Sequence, residues 1–112
     1  MTTLVLCVDR ANDTGRHSGV QTPVVGWEAV RSLVTDVGLS DPEDALVNSI
    51  LESLRVARDL EDEGEETVVA VVSGEGDSSV GRDRAIAQGV DSIATRHDAD
   101  SAIVVVDSAA DE

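Results

Sequence analysis

LVLCVDRANDTG, residues Leu4 to Gly15, opens on a continuous aliphatic run that stops at Asp9 and passes at once into a polar loop carrying Asn12, Asp13 and Gly15. A short unbroken apolar run with β-branched members and a polar stop is the pattern of a strand buried on both faces. TVVAVVSGEGDSS at Thr67 to Ser79 and SAIVVVDSAADE at Ser101 to Glu112 repeat the design. Strands alternating with helical segments imply parallel pairing through crossover connections. The expected fold is α/β: a small three-layer Rossmann-like or flavodoxin-like domain with a mainly parallel sheet of about three strands, the first strand central. At 112 residues the whole chain, 1–112, reads as a single domain.

Between the strands the apolar spacing changes from continuous to helical. Thr22 and Pro23 offer a cap and a first-turn proline, and Val30, Leu33, Val34 and Val37 share one helix face up to Gly38. Ser40 and Glu43 stand at capping-box spacing, or Asp41 caps a helix with Pro42 in its first position; Val47, Ile50, Leu51, Leu54 and Ala57 carry its buried stripe. The acidic run Glu61 to Glu66 ends that helix around Gly64 and reads as a solvated face. Val80 to Arg96 forms the last predicted helix, with Ile86, Val90, Ile93 and Ala94 turned inward. Such a small sheet leaves edges exposed, so the chain is expected either to form a homodimer or to be the front part of a longer protein.

Composition narrows the setting. Asp and Glu number 23 against 8 basic residues, all of them Arg, for a formal charge of −15, and Trp27 is the only aromatic residue. So much like charge on a small body repels itself in dilute buffer. Near molar salt the screening length falls to roughly 3 Å and removes most of that penalty. Acid excess without Lys, over a core of small aliphatics, is the composition expected of a protein from an extreme halophile. It also argues against direct nucleic-acid binding without a metal, because such binders set Lys and Arg against phosphate. Cys7 is the lone cysteine, which precludes an intramolecular disulfide and suggests a buried thiol in a reducing cytoplasm. No apolar run approaches the ~20 residues of a membrane-spanning helix.

In open parallel sheets, ligands bind beyond the carboxyl ends of the strands. That rule collects Asp9, Arg10, Asn12 and Asp13 from the first strand, Ser73, Gly74, Gly76, Asp77 and Ser78 from the second, and Asp107 from the third. Carboxylates Asp9, Asp13 and Asp107 suit a hard divalent cation such as Mg²⁺, with substrate phosphate completing its shell. The same aspartates would serve equally as caps for the loops that follow. The 74–79 loop could cradle an anion on its amides, but it lacks a P-loop Lys, and Asp77 or Ser78 reads more simply as a helix cap. Arg10, Arg16 and His17 could hold an anionic ligand or pair with neighbouring acids. A calcium loop is not expected in DRANDTG, where Ala11 takes a ligand position. His97 belongs to the end of the last helix, where a partial positive charge suits the dipole.

Taken together, LVLCVDRANDTG, TPVVGWEAV, DPEDALVNSILESLRVARDLEDEGEE and the ending AIVVVDSAADE resemble an archaeal family known as domain of unknown function family 373. The resemblance implies the soluble, cytoplasmic N-terminal α/β domain of a membrane protein, followed by several hydrophobic segments. Family members often carry an acidic residue where this chain has Ala11, which weakens a metal role for the loop. Asp9, Asn12, Asp13 and Asp107 stand in matching places. The resemblance brings no activity with it.

Three functions are therefore expected as alternatives. The first is a ligand-binding or regulatory domain that takes a small anionic or metal-chelated ligand and acts on a membrane portion. The second is a Mg²⁺-dependent phosphoesterase or nuclease of Toprim or PIN-like type that uses Asp9, Asp13 and Asp107. The third is a structural dimerisation module.

Overall fold

Thr2–Asp9 forms β1, the strand on which the others assemble. The computed structural model describes residues 2–9, 23–43, 45–74 and 78–106. After β1 come β2 (Val24–Val25), α1 (Trp27–Ser40), α2 (Ala45–Asp62), β3 (Glu66–Ser73), α3 (Ser79–His97) and β4 (Ser101–Val106). The sheet order is β2-β3-β1-β4. β1 pairs in parallel with β3 from Thr2 opposite Glu66 to Asp9 opposite Ser73, and with β4 from Thr3 opposite Ser101 to Val8 opposite Val106. The parallel trio expected from the three aliphatic runs is present, with the first strand inside the sheet.

Period-two alternation divides the core into two layers. Val5, Cys7, Val69 and Val71 point to α1 and α2, meeting Val30, Leu33, Val37, Leu46, Ile50 and Ala57. Leu4, Leu6, Ala70 and Val72 point to the other face, where Ile93 of α3 is buried and Ile86, Val90 and Ala94 pack around it. The chain thus moves from β1 to β3 under one face and from β3 to β4 across the other. Opposite directions on opposite faces give both crossovers the same hand.

Four details differ from the sequence expectation. Pro23 does not open a helix: Val24 and Val25 add a short antiparallel strand opposite Val71 and Ala70, so the sheet is mixed. Gly26 makes the turn from β2 into α1 at φ 104°, while its N–H donates to the Val69 carbonyl at 2.8 Å. Side chains rarely enter that region of backbone space, so glycine here decides where α1 starts. Gly38 does not end α1, which continues to Ser40; the stop is Asp41, extended at φ −151° as the residue before Pro42 must be. Ser40 consequently lies inside α1 rather than ahead of the next helix. Instead, the Asp41 carboxylate accepts from the Glu43 N–H at 3.2 Å in the turn before α2.

Leu51 is the fourth departure, being 50% exposed rather than part of the buried stripe of α2. Ser49 and Ser53 are buried in its place, and the Ser53 hydroxyl donates to the Ser49 carbonyl at 2.9 Å. A hydroxyl that finds a carbonyl one turn back within its own helix can be buried without loss. The acidic 61–66 stretch is exposed throughout, as expected, and Cys7 is a buried thiol outside any disulfide.

Candidate functional site

The carboxyl ends of β1 and β3 lie side by side where their connections depart to opposite faces. In parallel sheets, ligands bind at such points of divergence. Asp9 and Ser73 are register partners at this point. Both continue the alternation that turns Val5, Cys7, Val69 and Val71 toward α1 and α2. Asp9 is only 3% exposed and Ser73 5%. The Ser73 hydroxyl donates to Asp9 Oδ2 at 3.0 Å, and the Gly74 N–H donates to the Asp9 carbonyl at 3.0 Å. One strand end therefore clamps the other through both side chain and backbone. A buried carboxylate held this way keeps a fixed orientation.

A depression of about 260 Å³ lies on the other, α3, face of the sheet and shares Ser73 with this clamp. Its floor is Val72 and Ser73, its wall Gln88, Gly89 and Ser92 of α3, and its rim Pro23. Gly89 permits this close approach: a methyl group there would stand 3.2 Å from Val72 Cγ1. The lining side chains are neutral, in contrast to the acidic exterior.

Among the predicted site residues, Asp9, Ser73 and Gly74 are brought together. The Ser78 hydroxyl accepts from the Gly81 N–H at 3.0 Å and caps α3. Arg10, Asn12, Asp13, Gly76, Asp77 and Asp107, with Arg16 and His17, lie outside the described residues. Among the described residues no group of three or more His, Cys, Asp or Glu side chains converges as a metal site would require. Asp9 is thus the one described member of the expected cation-binding set. His97 closes α3 beside Arg96, in the last turn, where cations suit the helix dipole. Pro23, Gln88, Gly89 and Ser92 escaped the sequence reading. Gly89 was the available signal, because a glycine inside a helical pattern marks a close approach.

Charge elsewhere is arranged along helix surfaces. On α2 the exposed Arg55 guanidinium hydrogen-bonds Glu52 and holds its carboxyl below the usual carboxylate range. Arg55 itself is raised by the same partner and also reaches Asp59 at 3.0 Å.

The family model described as a domain of unknown function, DUF373, matches residues 2–112. The chain belongs to this family. Among DUF373 relatives, an uncharacterised protein of Archaeoglobus fulgidus is 36% identical over 109 residues, 97% of this chain and 32% of that protein. One from Methanocaldococcus jannaschii is 38% identical over 74 residues, 66% of this chain and 20% of that protein. This DUF373 chain therefore spans a third or less of the length of the curated relatives it matches. No solved structure matches it. No helix among the described residues is long and apolar enough to cross a membrane.

Proposed function

We propose that this DUF373 chain is a regulatory ligand-binding domain of Rossmann-like or flavodoxin-like kind, receiving a small anionic or metal-chelated ligand beyond the carboxyl ends of β1 and β3. The observation that carries the reading is the buried Asp9, braced by Ser73 where the two strand ends part. Supporting it are the depression of about 260 Å³ that shares Ser73 and its neutral lining. Within a longer protein the bound state would be passed to the rest of the polypeptide, in this reading a membrane portion, with the domain on the cytoplasmic side. Its working solvent is concentrated salt, which the charge of −15 favours.

A second reading is a Mg²⁺-dependent phosphoesterase or nuclease that uses Asp9 with Asp13 and Asp107. It draws on one observation: β4 runs parallel to β1 with Val106 opposite Val8, one residue before the buried Asp9.

Thermal unfolding in about 2 M KCl, where charge is screened over a few ångströms, tests both. The probes are MgCl₂, MnCl₂ and inorganic phosphate, singly and in pairs. A probe present at ~100 times its dissociation constant adds about 2.7 kcal/mol to stability. At least one combination is expected to raise the melting temperature of the natural chain and leave Asp9→Asn unchanged. No shift with any probe, or the same shift in Asp9→Asn, contradicts ligand binding at this edge. Hydrolysis of an activated phosphodiester that needs MnCl₂ and vanishes in Asp9→Asn would favour the second reading.

A further inference from the structure

The two edges of the sheet are treated very differently. On the β3 side, the short antiparallel β2 covers the edge and Gly26 turns the chain away. On the β4 side no described residue pairs with the outer edge. Ala102 and Val104 follow the register of Leu4 and Leu6, and Ile103 that of Val5, so β4 offers apolar groups on both faces. Val104 is 55% exposed and Ile103 38%, whereas their β1 neighbours Leu6 and Val5 are at 1% and 0%. SAIVVV holds no charge and no proline, the devices by which an open edge is normally protected. Such a six-residue run left open is an aggregation hazard. It is built to be an interior strand.

We infer that β4 is an acceptor edge, filled in the longer DUF373 proteins by an extended segment, apolar on both faces, from the polypeptide outside the matched region. Those proteins have the material, since the match accounts for 32% of one relative and 20% of the other.

Residue-resolved hydrogen exchange on the full-length Archaeoglobus fulgidus protein, read over the segment aligned with residues 101–106, provides the test. In a parallel edge strand, alternate amides point away from the neighbour and exchange fast. Here every amide of the segment is expected to be protected on the order of 100-fold or more, at all protein concentrations and in a monomer. Protection that appears only as the protein dimerises would assign the edge to a second copy. Fast exchange at alternate amides would show an open edge. Either result overturns the inference.

Discussion

At Asp9 the Ser73 hydroxyl helps to hold a buried carboxylate. Replacing Ser73 by Ala removes the 3.0 Å hydrogen bond to a carboxylate that is 3% exposed. Ser73→Ala should cost about 1–3 kcal/mol, measured by chemical denaturation in concentrated salt. A change under ~0.5 kcal/mol would mean that the clamp contributes nothing to holding the edge. Asp9 itself was legible in the sequence, because a carboxylate that halts an aliphatic run must sit at a strand end. Its partner was only half legible. Ser73 ends the second run in the same way, but that the two are in register depends on how the strands align, and a uniformly aliphatic pattern leaves that alignment open.

Among the elements, α3 shows how one residue sets a spacing. Gly89 lets the helix approach Val72, and Gly89 also lines the depression beside Ser73. Gly89→Ala gains about 1 kcal/mol of helix propensity and loses a comparable amount by pressing a methyl on Val72 Cγ1. The expected outcome is a melting temperature within a few degrees of the natural chain, together with weakened binding of whichever probe stabilises it. Unchanged binding would place the ligand away from the depression. The three parallel strands and all three helices could be read from periodicity, since aliphatic runs and spacings of three and four are strong signals over such lengths. The start of α1 could not. Pro23 followed by Val-Val suits a first helical turn as well as a strand, and the deciding facts are the positive φ of Gly26 and the pairing of β2 with β3. Leu51 misled for a related reason: helical spacing identifies a face, but the sequence does not say how wide a stripe the sheet covers.

For the molecule as a whole, charge opposes the aliphatic core. Sheet and helices bury leucine, isoleucine and valine side chains such as Leu4, Leu6, Leu33, Ile50 and Val71 almost completely, while 23 acidic groups distribute over a chain of 112 residues. Raising KCl from about 0.1 M to 2 M shortens the screening length from roughly 10 Å to a few ångströms, so the melting temperature should rise steadily across that range. A flat or falling curve would show that the charge is neutralised locally, by pairs like Glu52 with Arg55, and that concentrated salt is not the working solvent. In dilute buffer that pair adds a pH term of known sign. A depressed Glu52 carboxyl stabilises the fold above the ordinary carboxylate range and loses that contribution as pH falls through its lowered value, and molar salt should erase it.

The same acidity sets the sharpest test of the proposed site, because a divalent cation could gather anywhere on such a surface. Paramagnetic Mn²⁺ titrated into ¹⁵N-labelled chain in concentrated KCl reports where it dwells through line broadening of individual amides. A ligand site beyond β1 and β3 predicts that, at substoichiometric Mn²⁺, broadening centres on Asp9, Ser73 and Gly74 and disappears in Asp9→Asn. Broadening spread over the exposed acidic stretch from Glu61 to Glu66, indifferent to that substitution, would contradict it.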